Sequence, residues 1–223
     1  MNITILTLFP EMFAGPFSES ILKRAQEKNA INIKIVNIRD FATDKHHVTD
    51  QPPYGGGPGM VMMVEPIAKA IESLKLQVSS SKSKTVLLSA KGELHTQAKA
   101  KEYSELDELI LICGHYEGVD ERVREFVDEE VRIGDYVLTG GEIPAMAIAD
   151  SVIRLLPGVL GDDMSSVDES HSEPGYFEYP QYTRPADYMG HKVPDVLLGG
   201  NHGEIAKWRS QQAKHAEGSK GDA

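Results

Sequence analysis

I-G-D-Y-V-L-T-G-G-E-I-P, residues 133 to 144, runs an extended apolar segment (Tyr136, Val137, Leu138) into the glycine pair Gly140-Gly141 and then into a helix start. Pro144 is expected at the first helical position, and Ala145 to Leu156 carries apolar side chains at helical spacing. Paired glycines between a strand and a helix bring bare backbone N–H groups close to a ligand, or they make a tight turn and nothing more. Two further glycine turns, at Gly92 and Gly114, are expected at the ends of other strands. If those strands are neighbours in a parallel sheet, the three turns share one edge, where ligands of open α/β sheets bind.

Working outward, strands are expected at Ile3–Phe9, Ile31–Ile35, Thr85–Ser89, Leu109–Cys113 and Val131–Leu138, the last broken by Gly134. Helices are expected from a Ser18 cap to Lys28, from Pro66 through Leu74, over Thr96–Tyr103, Asp120–Val127 and Ala145–Leu156, and from an Asn201 cap through Trp208. Strands alternating with helices predict an α/β fold, a mostly parallel sheet with helices on both faces. Arg39–Met60 lacks periodicity and is long enough to be a functional loop. Pro157–Pro185 reads as a linker, with an acidic run (Asp162, Asp163, Asp168, Glu169), disorder around Asp163–Pro174, and aromatics between prolines. The tail from Ala216 is also expected to be disordered.

The chain has 223 residues, enough for a full core, and a net charge of −11 from 34 acidic against 23 basic residues. That balance argues against bulk electrostatic binding of nucleic acid but leaves room for a local basic patch. The single cysteine, Cys113, stands in an apolar run and is expected to be buried and inert; it excludes an internal disulfide framework. The apolar start, Met1–Phe9, lacks a basic n-region and reads as a strand. No stretch is long and apolar enough for a transmembrane helix, so a cytoplasmic, membrane-free protein is expected.

Three glycine-rich motifs carry the chemistry. P-Y-G-G-G-P-G-M (Pro53–Met60) is a loop of unobstructed amides without the Lys-Ser/Thr ending of a P-loop. G-H-Y-E-G-V-D-E-R (Gly114–Arg122) places Glu117 between glycines, where packing has little use for it, and ends in a capping Asp120. The third is the stretch at 133–144. Adjacent His46 and His47 have no third ligand at metal spacing, so no metal site is expected. No G-x-S-x-G is present, and a hydrolase using Glu117 with Asp120 would lack a nucleophile.

Together with L-F-P-E-M-F (Leu8–Phe13), P-Q-Y-T-R-P (Pro180–Pro185) and L-L-G-G-N-H (Leu197–His202), these motifs resemble the bacterial tRNA (guanine-N1)-methyltransferases of the SPOUT superfamily, to about Gln212. The resemblance implies a deep trefoil knot, a homodimer with its active site shared between subunits, tRNA as substrate and S-adenosylmethionine as methyl donor. It implies a knotted domain over 1–160, a flexible linker over 161–175 and a small C-terminal helical domain over 176–223. Donor contacts would fall on Ser89, Gly114, Tyr116, Glu117, Gly118, Ile133, Gly134, Asp135, Tyr136, Val137, Leu138, Gly140, Gly141 and Pro144. Substrate contacts would fall on Asp50, Tyr54, Gly59, Arg184 and His202, with Lys207, Arg209 and Lys214 as further phosphate partners. The methyl acceptor would be N1 of the guanine just 3′ of the anticodon, guanine-37 of the tRNA.

The resemblance leaves a magnesium requirement open. Its arginine supporting guanine O6 corresponds to Arg154. Without that context, a helix-dipole partner is the better reading of Arg154. Its general base is an Asp before Ser; here Glu169 precedes Ser170, with Asp168 one place earlier, and Glu169 is the expected base. Three departures stand out: Ala90-Lys91 replaces Pro-Gln, His115 stands where Arg is common, and the chain ends soon after the Trp208 helix. The altered base motif keeps open a rival, a nucleotide- or RNA-binding module without catalysis.

Overall fold

The computed structural model describes residues 1–77, 80–160 and 169–215, with His215 described by its backbone alone. The chain falls into two compact units, Met1–Gly161 and Asp162–Ala223.

The first unit is built on five strands: β1 (Asn2–Thr7), β2 (Asn32–Asn37), and, after the two-stranded ribbon β3 (Asp50–Gln51) and β4 (Val61–Met62), β5 (Ser83–Leu94), β6 (Glu108–Cys113) and β7 (Glu129–Arg132). The large sheet has the order β2-β1-β6-β5-β7, and every neighbouring pair in it is parallel. Alternate residues of β1, β5 and β6 serve two cores. Ile3, Ile5, Val86, Leu88, Leu109 and Leu111 face one, and Leu6, Leu87, Ile110 and Ile112 face the other. Helices α1 (Ser20–Glu27), α3 (Gln97–Ser104) and α4 (Glu142–Ile153) pack on the first side through Leu22, Ala100, Ile148 and Val152. Helix α2 (Val64–Lys75) packs on the second through Ile67, Ala70, Ile71 and Leu74, the i, i+3, i+4, i+7 set. The expected α/β sheet with helices on both faces is the observed architecture.

Several local expectations change. Val131–Leu138 is not one strand. Pairing stops at Arg132, and Tyr136, Val137 and Leu138 are 56%, 85% and 37% exposed in a loop. Their apolar character serves a cavity wall, which period-two reading mistakes for a strand. Helix α4 starts at Glu142 with Gly141 as its cap, so Pro144 is the third helical residue; α2 likewise starts at Val64, ahead of Pro66. Proline is tolerated throughout a first helical turn because those N–H groups have no intrahelical partner. Ser18 ends a short 3-10 turn, and α1 begins after Glu19. Residues Glu121–Phe126 form a 3-10 helix, with the Asp120 carboxylate accepting from Arg122 N as expected of a cap.

The expected strand Thr85–Ser89 is the first part of β5, and Gly92 lies inside that strand instead of after it. Val131 stands opposite both Leu88 and Glu93, so residues 89–92 are an excursion that leaves the ladder and returns.

The second unit contains β8 (Tyr176–Phe177), β9 (Asp187–Tyr188), β10 (His191–Lys192), α5 (Asp195–Leu198), α6 (His202–Gln212) and β11 (Lys214–His215). β8 pairs with β11 and β9 with β10, both antiparallel. Asn201 caps α6 through its Oδ1, which accepts from Gly203 and Glu204 N. Residues 169–178 close on themselves, with His171 N donating to Tyr176 O at 2.7 Å and Glu178 N donating to Ser170 Oγ at 3.1 Å. Asp162, Asp163, Asp168, Ser79 and the tail from Ala216 lie outside the described residues.

Candidate active site

Three backbone passages meet at the carboxyl edge of the parallel sheet and enclose a cavity of about 280 Å³. The first is the excursion from β5, contributing Ser89, Ala90 and Lys91; the second is the turn after β6, Gly114–Val119; the third is the loop after β7, from Ile133 to Gly141, with Pro144 of α4 behind it.

The local sequence explains each wall. Strand β6 ends at Cys113, and Gly114 lets the chain pass under Leu88, whose carbonyl oxygen would stand 3.2 Å from a Cβ there. Tyr116 takes a left-handed φ of 59°, Gly118 one of 119°, and Gly118 N closes the turn on His115 O at 3.0 Å. The third passage is bonded to the second: Gly141 N donates to Gly114 O at 2.8 Å, and His115 and Gly140 form an antiparallel bridge. A Cβ on Gly141 would lie 2.7 Å from Cys113 Cα. The Tyr136 ring folds back so that a Cβ on Gly134 would be 2.3 Å from its Cε1.

The Pro53–Met60 loop docks on the same turn. Glu117 N donates to Met60 O at 3.1 Å, and a Cβ on Gly59 would lie 2.6 Å from Glu117 Cγ. Met62 N then donates to Gly118 O and Asp120 N to Met62 O, both at 2.9 Å. Tyr54 projects fully into solvent.

Several charges at the cavity are paired. Arg132 donates to Asp135 Oδ1 at 2.8 Å and to Gly92 O at 2.5 Å, and Arg124 pairs with Glu130 and with Glu121, the latter at 3.0 Å. Beneath the floor lies Glu142, 1% exposed, whose Oε1 accepts from Thr7 Oγ1 at 2.8 Å. Burial first, then the Glu142 charge, push the Cys113 thiol well above its ordinary value, so the expected inert cysteine is what the structure contains.

Every residue expected to contact the donor lines this cavity except Asp135, which is spent on Arg132. Asp50 opens β3, next to Thr49, whose Oγ1 accepts from Arg39. Arg154 ends α4, its N–H donating to Asp150 O at 3.2 Å. Arg184 lines a second cavity of about 400 Å³ in the second unit with Tyr182, Trp208 and Arg209, and His202 is the first residue of α6. The backbone carbonyl oxygen of Glu169 accepts from Ser172 N at 3.0 Å.

Sequence reasoning missed Lys91, Arg124, Arg132 and Thr139 as lining residues and Glu142 beneath them. Lys91 could have been found from its place beside Ser89. An acidic residue in a first helical turn reads as a dipole partner, and nothing local signals that Glu142 is buried.

The family model described as tRNA (Guanine-1)-methyltransferase TrmD matches residues 1–220. A protein named tRNA (guanine-N(1)-)-methyltransferase from Carboxydothermus hydrogenoformans is 58% identical over 214 residues, 96% of this chain and 83% of its own length. Proteins of the same name from Dictyoglomus turgidum and Geobacillus kaustophilus are 57% and 55% identical, each across 96% of this chain and 85% and 86% of their own lengths. The six motifs, the glycine-walled cavity at the parallel sheet edge and these likenesses converge: the chain is a methyltransferase that belongs to the tRNA (Guanine-1)-methyltransferase family.

Proposed function

We propose that the protein transfers a methyl group from S-adenosylmethionine to N1 of the guanine 3′ of the anticodon, guanine-37, in tRNA. The observation that carries this reading is the convergence of the 89–92, 114–118 and 133–141 passages on one cavity. The residues present suit the donor. Gly134, Gly140 and Gly141 line the cavity with bare backbone, and each is packed too closely on Tyr136, on Glu142 with His115, or on Cys113 to carry a Cβ. Tyr136, Val137 and Leu138 offer exposed apolar surface to an adenine ring, and Glu117 offers a carboxylate to a cationic group. When bound there, S-adenosylmethionine supplies an electrophilic methyl group on a sulfonium.

The chain's own residues do the rest. Guanine N1 is a poor nucleophile while protonated, and Glu169 takes that proton as general base. Asp168 is the alternative carboxylate. Arg154 donates to O6 as negative charge develops on it. Gly141 and Arg154 cap opposite ends of α4, about 20 Å apart at 1.5 Å per residue. This separation within one chain supports a homodimer in which one copy's Arg154 serves the other's cavity. Asp50, Tyr54 and Gly59 contact the substrate near the cavity, and Arg184, His202, Lys207, Arg209 and Lys214 contact it from the second unit. The close crossings of Gly92 on Val131 and Gly141 on Cys113 support a knotted path. The reading also includes a knotted domain over 1–160, a linker over 161–175 and a tRNA-binding domain over 176–223. The setting is cytoplasmic; among the described residues no helix is long and apolar enough to cross a membrane.

The deciding experiment is transfer of labelled methyl from S-adenosylmethionine to a tRNA transcript with guanine 3′ of the anticodon, beside the same transcript with adenine there. Label on the first alone is expected. No label on either, with the donor bound, would leave a binding module without catalysis.

A further inference from the structure

Glu142 is a buried carboxylate that the proposed chemistry does not use. Its Oε1 accepts from Thr7 Oγ1 at 2.8 Å, and Thr7 Oγ1 in turn accepts from Phe9 N at 2.9 Å. Its Oε2 faces His115 Nδ1 at 3.7 Å, and that nitrogen has no hydrogen-bond partner although it is buried. The Phe9 ring packs on His115 with centroids 4.7 Å apart, and His115 packs edge-on to Tyr116 at 4.8 Å. Thr7, Phe9, His115 and Glu142 therefore form a closed circuit under the cavity. It joins the end of β1, the turn after β6 and the start of α4.

Gly140 lies directly over this circuit. A Cβ there would stand 2.3 Å from Glu142 Oε2 and 2.4 Å from His115 Nδ1. The φ of Gly140 is not in the left-handed region, so the close approach is what requires glycine. A carboxylate buried with one direct donor is costly to desolvate, and the helix N-terminus offsets only part of that. Its position between the second and third cavity walls gives the burial a use.

We infer that Glu142, acting through Thr7 and His115, is a positioning residue for the methyl-donor cavity: it sets the spacing between the Gly114–Gly118 turn and Gly140-Gly141. This rests on the reading of that cavity as the S-adenosylmethionine site. Glu142 does not touch the donor. It stands against His115 at 3.7 Å, and His115 packs on Tyr116, which lines the cavity, and bridges through its backbone to Gly140.

The test measures S-adenosylmethionine binding by titration calorimetry, alongside kcat and KM, on the full chain and its variants. Glu142→Gln keeps the shape and removes the charge. It is expected to weaken donor binding and raise donor KM by roughly tenfold, the usual worth of a hydrogen bond to a charged group, with kcat changed less than about threefold. Thr7→Val removes the donor to the same carboxylate from outside the cavity and is expected to act in the same direction. It also keeps the inference testable if Glu142→Gln does not fold. Unchanged donor affinity in folded Glu142→Gln or Thr7→Val would overturn the inference and leave the cavity reading intact. Wild-type protein that binds no S-adenosylmethionine would overturn the cavity reading and this inference together.

Discussion

Gly92 and Val131 cross so closely that a Cβ on Gly92 would stand 2.3 Å from the Val131 backbone nitrogen. Val131 pairs in register with residues on both sides of the 89–92 excursion, so the excursion returns to the sheet at this contact. The cavity's first wall exists because Gly92 has no side chain.

Gly92→Ala should therefore be strongly destabilising, by about 3 kcal/mol or more, because the obstruction is backbone that cannot rotate away. Gly15→Ala, where a Cβ meets nothing within 4 Å, should stay within about 0.5 kcal/mol of wild type. Urea denaturation of both variants checks the pair. Equal stabilities would mean that the crossing is looser than its geometry.

Glu169→Gln should reduce methyl transfer at least a hundredfold, a common worth of a positioned general base, and leave S-adenosylmethionine affinity unchanged. Single-turnover assays with tRNA measure the first quantity and calorimetry the second. Persistent transfer in Glu169→Gln, together with its loss in Asp168→Asn, would move the base to Asp168.

Arg154→Ala should lower kcat by about a hundredfold or more, in line with the loss of one donor to a developing oxyanion, with little change in donor affinity. Mixing Arg154→Ala chains with chains inactivated at the donor cavity should restore part of the activity if the two groups belong to different copies. Loss of donor binding alone would remove Arg154 from its proposed role.

His95 predicts an acid response. Its Nε2 bonds Ser151 Oγ at 2.9 Å, while Nδ1 is buried without a partner. Burial first, then the Lys99 charge, lower its pKa from 6.5 to about 4, against the opposing pull of Glu129. The folded state thus prefers neutral His95. That contribution is complete above pH 6.5 and is lost as pH falls from there through about 4. Allowing for the part of the ring that faces water, roughly 2 kcal/mol is at stake. His95→Asn should flatten the stability profile between pH 6.5 and 4 in chemical denaturation; an unchanged slope there would assign the acid sensitivity to other groups.

S-adenosylmethionine at a hundredfold excess over its dissociation constant should stabilise the folded protein by about 2.7 kcal/mol. A rise in melting temperature with donor concentration is the readout. Its absence in Gly141→Ala, where the added Cβ would press on Cys113 and Gly114, would place the stabilisation at the glycine-walled cavity.

What could be read from the sequence alone was local. Alternation at Ile31, Ile33 and Ile35, the apolar run Leu109–Cys113 and the spacing of Ile67, Ala70, Ile71 and Leu74 determined that this chain makes a parallel sheet with helices on both sides. Asn201 and Asp120 announced their caps, because a cap is a bond between residues two or three apart. The motifs at 53–60, 114–122 and 133–144 marked the family for the same reason: each is contiguous. Tertiary structure alone decided that Tyr136–Leu138 is a cavity wall and not a strand, that Gly92 lies within β5, and that Glu142 is buried against Thr7. Those outcomes depend on partners tens of residues or more away, such as Val131 for Gly92 and Thr7 for Glu142. Close backbone crossings and shared buried hydrogen bonds leave no trace in the spacing of neighbouring residues.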